Sequence, residues 1–306
     1  MALTIGIDIG GTKVAGGVVD DAGAVLALVR RPTPSLSPSD IVITIASVVD
    51  ELRSGHAVEA VGIGAAGFVD AERSTVRFAP NLAWRDEPLR DNIRDRVGLP
   101  VVVENDANAM AWGEYRFGAG RGEACLLALT IGTGIGGGVV WDGRLYRGGF
   151  GIAGEFGHLR VVPDGRPCGC GNRGCWEQYC SGPALLREAI ARHITELAGG
   201  DLETLGGPAI TRAALEGDPT ATECVTELGR WLGQGLADLA AAFDPTCFVI
   251  GGGVAEAGEL LLATARRTFE SVLTGSGHRP LARICAAELG TEAGLVGAAD
   301  LARRRG

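Results

Sequence analysis

The stretch Gly154–Glu177, GEFGHLRVVPDGRPCGCGNRGCWE, constrains this chain more than any other. Within 24 residues it holds one histidine, three cysteines and two glutamates. His158 precedes Cys168 by ten positions, and Cys168, Cys170 and Cys175 follow as C-x-C-x4-C. One imidazole and three thiols at chelating spacing make the donor set of a tetrahedral zinc site. Gly169, Gly171 and Gly174 suit a tight chelating loop, because glycine tolerates the positive φ that such turns need. With all four positions filled by protein, the expected zinc is structural and keeps no open place for a reactive water.

The rest of the composition narrows the class. A chain of 306 residues, 46% hydrophobic and 21% charged, is globular and long enough for two domains. A formal net charge of −9 gives nucleic acid no electrostatic footprint. The run 124–141 carries no charge over 18 residues, but five glycines and two threonines break it into strand, loop and strand. Membrane insertion is therefore not expected. The N-terminus lacks the pattern of a secretory signal, so a cytoplasmic location and reduced or metal-bound cysteines are expected. Of the 28 basic residues only Lys13 is a lysine, and it stands in a glycine-rich turn. A compact ammonium fits where a planar guanidinium does not.

Read in order, residues 3–9 alternate as a strand, with Leu3, Ile5, Ile7 and Ile9 on one face and Asp8 on the other. Gly10-Gly11-Thr12-Lys13 turns the chain into a second strand over 14–19, and Asp20–Gly23 into a third over 24–30. This antiparallel opening differs from a dinucleotide fold, where the first strand runs through glycines into a helix. A helix is expected over 40–53, a buried strand ending at Gly64–Gly67, and irregular chain over 70–90. The apolar run PVVVEND ends in Glu104, Asn105 and Asp106, and ANAMAWGEYRF continues as a helix. A carboxylate where a strand ends and a helix begins is a common active-site position in α/β folds. The second half repeats the motif of apolar strand, small-residue turn and apolar strand around Gly132-Thr133-Gly134. Helices are expected over 183–198 and 208–243, then a buried strand running into Gly251-Gly252-Gly253, and a last helix over 291–306.

Three glycine-bearing turns after apolar strands, with exposed N–H groups and one acidic residue, suit a bound nucleotide. Together DIGGTK, ENDANAMAWGE and GEFGH followed by CGCGNRGCWE resemble the ROK family of bacterial sugar kinases and repressors. PNLAW, VGAADLA and the longer run VVPDGRPCGCGNRGCWEQY look like its actinobacterial, glucose-phosphorylating branch. The likeness spans nearly the whole chain. It implies an α/β fold of two ribonuclease-H-like domains, of the actin, hexokinase and Hsp70 type, with an interdomain cleft and a zinc-binding loop. The expected division is 1–117 plus the helix 291–306, against 118–290.

The resemblance also implies roles. Asp106 would be the general base, taking the proton of the 6-hydroxyl of D-glucose as that oxygen attacks the γ-phosphate of ATP. Asn105, Glu155, His158 and Glu177 would hold the other sugar hydroxyls, since amides and carboxylates suit groups that both donate and accept. His158 would serve twice, with one ring nitrogen on zinc and the other toward the sugar. Asp8 would help hold Mg²⁺ through water, with Gly10, Gly11, Thr12, Lys13, Thr133 and Gly134 near the phosphates. Gly251, Gly252 and Gly253 would lie near the adenosine. A homodimer or homotetramer is expected. A ROK kinase for another hexose, such as N-acetylglucosamine, N-acetylmannosamine or fructose, is the alternative, together with a sugar sensor without catalysis. With the first strand starting at residue 3, no DNA-binding helix-turn-helix is expected ahead of it.

Overall fold

The computed structural model describes residues 3–192 and 206–304. Its two five-stranded sheets share one strand order. The first takes β1 (Leu3–Ile9), β2 (Lys13–Val19), β3 (Val25–Pro32), β4 (Val58–Ala65) and β8 (Val101–Asn105) in the order β3-β2-β1-β4-β8. Here β1 pairs antiparallel with β2, β2 antiparallel with β3, and β1, β4 and β8 run parallel. The second sheet takes β9 (Cys125–Ile131), β10 (Ile135–Trp141), β11 (Arg144–Tyr146), β12 (Cys247–Gly251) and β13 (Arg283–Ala286) in the order β11-β10-β9-β12-β13. Each sheet thus sets three consecutive strands beside two that return after a crossover, which fits the repeated strand–turn–strand pattern in the sequence.

Two units emerge, Met1–Glu123 with Gly138–Gly154 and Glu288–Gly306, and Ala124–Gly137 with Glu155–Ala287. In the first, α1 (Pro38–Arg53) begins where the Ser37 side chain accepts a hydrogen bond from Asp40 N and Pro38 sets the first helical φ. Its Ile41, Val42, Ile45, Val48, Val49 and Leu52 form one buried stripe, joined in the core by Ile5, Ile7 and Ile9 of β1. The opposite face of β1 is buried too. There α8 (Ala293–Arg304) lies directly on the sheet. A Cβ at Gly6 would come 1.9 Å from Leu295 O, and one at Gly62 would come 1.8 Å from Ala298 O. Glycine at these two strand positions is what admits the helix.

Residues 70–90, expected to be irregular, instead hold β6 (Val76–Phe78) and β7 (Arg85–Glu87), which pair with β5 (Phe68–Val69) in a three-stranded sheet. A short helix α2 (Leu89–Val97) follows, burying only Leu89, Ile93 and Val97. In the second unit the expected helix 183–198 is α4 (Gly182–Ala191), and residues 193–198 lie outside the described residues. The expected stretch 208–243 is two helices, α5 (Gly207–Leu215) and α6 (Pro219–Phe243). The break falls where Gly217 takes φ +94° and the Asp218 side chain caps Ala221 N. After β12 comes α7 (Glu259–Val272). The last expected helix, 291–306, is α8, and residues 305–306 lie outside the described residues. No helix among the described residues is long and apolar enough to cross a membrane.

Candidate active site

In the first unit, β8 passes into α3 (Asp106–Phe117) with no intervening loop. Asn105 is both the last strand residue and the N-cap, its side-chain oxygen accepting from Asn108 N at 3.0 Å. Asp106 is therefore fixed at the first helical position. Its Oδ1 accepts from Ala107 N at 2.9 Å and from Asn105 Nδ2 at 3.1 Å. Asn105 Nδ2 also reaches Gly67 O at 3.1 Å, which ties the junction to the turn after β4. Burial pushes the Asp106 carboxyl above its usual range, although Ala107 N and the Asn105 amide pull it back.

Asp8 sits near the end of β1, paired with Ala15 and Gly64. Its carboxyl is pushed up to about 6, first by burial and then by the charge of Asp106, with Lys13 acting in the opposite sense. Gly294, at the start of α8, faces the same place. A Cβ there would lie 3.5 Å from Asp8 Oδ1 and 3.8 Å from Asp106 O. The turn Gly10–Lys13 is closed by Gly10 N donating to Lys13 O at 3.0 Å and by Thr33 Oγ1 donating to Gly10 O at 2.8 Å. Gly11 abuts Asn81, where a Cβ would meet the asparagine Cβ at 3.2 Å.

The raised Asp8 has a consequence for stability. The folded protein keeps that proton up to about pH 6, the unfolded chain only to its ordinary 3.8. Between those values the folded state binds more protons, so this group's contribution falls as pH rises and is a net cost above pH 6. Asp8→Asn should accordingly raise the thermal midpoint at pH 8 in the absence of magnesium. A midpoint unchanged or lower would contradict this electrostatic picture.

In the second unit the four zinc candidates converge. The ligand atoms of His158, Cys168, Cys170 and Cys175 all lie within 4.8 Å of one another. Cys170 Sγ is 3.6 Å from Cys175 Sγ, and Cys168 Sγ is 3.7 Å from His158 Nδ1. Soft sulfur and imidazole donors gathered this closely fit zinc. Gly171 and Gly174 take φ +90° and +76° as expected, whereas Gly169 does not adopt a positive φ. The other ring nitrogen, His158 Nε2, points toward Glu155 Oε2 at 3.9 Å. Glu177 reaches both ways. Its Oε1 accepts from Cys168 Sγ at 3.0 Å, and a Cβ on Gly134 would come 2.5 Å from its Oε2. Glu155, His158, Glu177 and the Thr133–Gly134 turn therefore lie together.

That turn is held by Gly132 N donating to Gly134 O at 3.0 Å and by Gly182 N donating to Gly132 O at 2.8 Å. Gly251 pairs with Thr130 across the parallel β9 and β12. Gly252, at φ +87°, lies against the Ile131 backbone, where a Cβ would approach within 2.5 Å. Gly253 then opens a single turn of 3-10 helix, Gly253–Ala257. Both glycine turns of this unit thus sit at the ends of adjacent strands, as a nucleotide site in an α/β fold requires.

Among known proteins, the family model described as "ROK family" matches residues 4–305. The chain belongs to the ROK family. The glucokinase of Streptomyces coelicolor is 53% identical over 312 residues, covering 99% of this ROK chain and 98% of the relative. The glucokinase of Thermotoga maritima is 38% identical over 98% of this chain and 97% of its own. A solved structure of a ROK family glucokinase from Streptomyces griseus, in complex with glucose and AMPPNP, superposes with a TM-score of 0.92. It is 55% identical and covers 99% of this chain and 100% of that one. The α/β fold with mixed sheets is therefore that of ROK sugar kinases.

Glu104 carries a network that the sequence reading passed over. It is 1% exposed and meets Arg147 Nε at 2.8 Å and Arg73 Nε at 3.0 Å, both at Oε2. The signal was an acidic residue closing an otherwise apolar strand, which requires a cationic partner. Nothing local in the sequence says which arginine supplies it.

Proposed function

We infer that this chain is a glucokinase, which transfers the γ-phosphate of ATP to the 6-hydroxyl of D-glucose. The observation that carries this reading is the likeness, at 55% identity over 99% of the chain, to a ROK glucokinase solved with glucose and AMPPNP. The fold is read as two duplicated ribonuclease-H-like halves, a reading supported by the matching strand orders of the two sheets.

Asp106 is the general base. Its raised pKa supports the role, because a more basic carboxylate is a better proton acceptor in the transition state. Asn105 orients it by donating to Oδ1, and the two hydrogen bonds that Asp106 receives from Ala107 N and Asn105 Nδ2 both go to that oxygen. Oδ2 is then the oxygen for the sugar hydroxyl. Asn105, Glu155, His158 and Glu177 hold the remaining hydroxyls. Gly10, Gly11, Thr12, Lys13, Thr133 and Gly134 hold the phosphates by backbone N–H groups and one ammonium, and Gly251–Gly253 border the adenosine.

Two metals have separate tasks. Asp8 would help hold Mg²⁺ through water, and the bound ion would neutralise charge on the phosphates of ATP. Zinc would be held by His158, Cys168, Cys170 and Cys175, apart from the phosphoryl transfer. Held there, it would orient His158, leaving its Nε2 to face a hydroxyl. A coupled assay for ADP release tests the reading: release should depend on D-glucose. Release that is independent of added sugar, or absent with every sugar, would refute it.

A further inference from the structure

We propose that Arg147 is a positioning residue for Asp106, acting through Glu104 and the Asn105–Asn108 pair. The inference rests on Asp106 being the base and deepens that reading.

Glu104 is the centre of the argument. A buried carboxylate is stable only when its charge is paired and its lone pairs are used. Here Oε1 accepts from Asn105 N at 2.9 Å, from Asn108 Nδ2 at 3.1 Å and from Arg147 Nε at 3.1 Å. Oε2 has no hydrogen bond of its own and is balanced by charge alone, with Arg147 Nε at 2.8 Å and Arg73 Nε at 3.0 Å. The first two donors belong to residues that also set the base. Asn105 caps Asn108 N with its oxygen and donates its amide to Asp106 Oδ1 at 3.1 Å. A hydrogen-bonded path therefore runs from the Arg147 guanidinium through Glu104 and Asn105 to the Asp106 carboxylate.

Arg147 is fixed at its other end. Nη1 donates to Ala71 O at 2.9 Å and Nη2 to Asp70 O at 2.8 Å. All three guanidinium nitrogens are thus engaged, by a side chain 10% exposed. The turn that offers those carbonyls is itself rigid. Asp70 accepts from Ser74 N and Thr75 N at 2.8 and 3.1 Å, and Arg73 in the same turn supplies the second cation to Glu104. Arg147 also begins the segment that leads to Glu155, with Ala153 N donating back to Arg147 O at 3.1 Å. A planar fork with donors in three directions is needed here, and a lysine ammonium cannot span Glu104 and both carbonyls at once.

A buried ion pair with a purely structural role would, when broken, lower the melting temperature and nothing else at permissive temperature. A positioning role predicts a different split. An active-site group displaced by about 1 Å can lose about 10²-fold in rate. Arg147→Lys, assayed as the zinc-loaded enzyme with Mg-ATP and glucose below its melting temperature, should lower kcat about 10- to 100-fold. KM for ATP should stay within about twofold, because the Gly10–Lys13 and Thr133–Gly134 turns are not in the network. The effect should also vanish when the base is gone, since residues acting as a unit are non-additive. Asp106→Asn/Arg147→Lys should be no slower than Asp106→Asn alone. Glu104→Gln, run through the same cycle, serves if Arg147→Lys loses its cooperative melt. A kcat within about twofold of the native value, or losses that multiply in the double variant, would overturn the proposal. Failure of the underlying reading looks different, because Asp106→Asn alone would then keep more than about a tenth of native kcat.

Discussion

Asp106→Asn should lower kcat for glucose phosphorylation by about 10²- to 10⁴-fold, the usual contribution of a general base. The fold should survive unharmed. An asparagine keeps the side-chain oxygen that accepts from Ala107 N, and it removes a charge that burial disfavours. Because the native carboxyl is raised, its ionised form is a cost at neutral pH, so the melting temperature should be equal or higher. Glucose affinity should change little, since Asn105, Glu155, His158 and Glu177 remain. Stopped-time ADP assays with calorimetric titration of glucose separate the two quantities. A variant retaining more than about a tenth of native kcat would remove Asp106 from its role.

Loss of zinc is the second large effect. Elemental analysis of the purified protein should find about one zinc per chain, and Cys170→Ser should abolish it. Structural zinc contributes about 10 kcal/mol or more to the order of small zinc-binding peptides, so the 168–175 loop should not hold its shape without metal. His158 is itself one of the four candidate ligands and Glu177 follows Cys175 by two positions, so both side chains are positioned from this loop. Each hydrogen bond from a charged group that is lost at the sugar costs about 1.5–3 kcal/mol. Glucose affinity should therefore fall by about tenfold to several-hundredfold. KM for ATP should move less, as no zinc ligand lies in a phosphate turn. Purified protein without zinc, or Cys170→Ser with native glucose affinity, would end this account of the loop.

Much of this was legible because the relevant signals are local. The alternation of Leu3–Ile9, the turn Gly10–Lys13 and the junction Asn105–Asp106 are short-range patterns, and each appears where its pattern predicts. The cysteines and His158 announce a chelate by spacing alone, and their ligand atoms converge. What was missed depends on distant partners or weak periodicity. In α2 the apolar residues Leu89, Ile93 and Val97 recur every fourth position among charged neighbours, a stripe too thin to outweigh the polarity around it. The break at Gly217-Asp218-Pro219 carried both a left-handed glycine and an N-cap, yet the surrounding helical period masked it. Glu104 and Arg147 lie 43 positions apart, and no pattern along the chain links them. Gly6 and Gly62 likewise read as ordinary strand glycines until α8 is seen resting on them.

The sugar is the central claim, and ROK kinases for several hexoses would share GEFGH and the cysteine loop. A pocket that hydrogen-bonds an equatorial 2-hydroxyl leaves buried polar groups unpaired against 2-deoxyglucose, at about 1–3 kcal/mol for each. The most direct measurement is kcat/KM for glucose, mannose, fructose, 2-deoxyglucose and N-acetylglucosamine under one set of conditions, with ATP as donor. The account predicts the highest value for glucose, with 2-deoxyglucose lower by about tenfold or more. A kcat/KM for N-acetylglucosamine or fructose above that for glucose would contradict it.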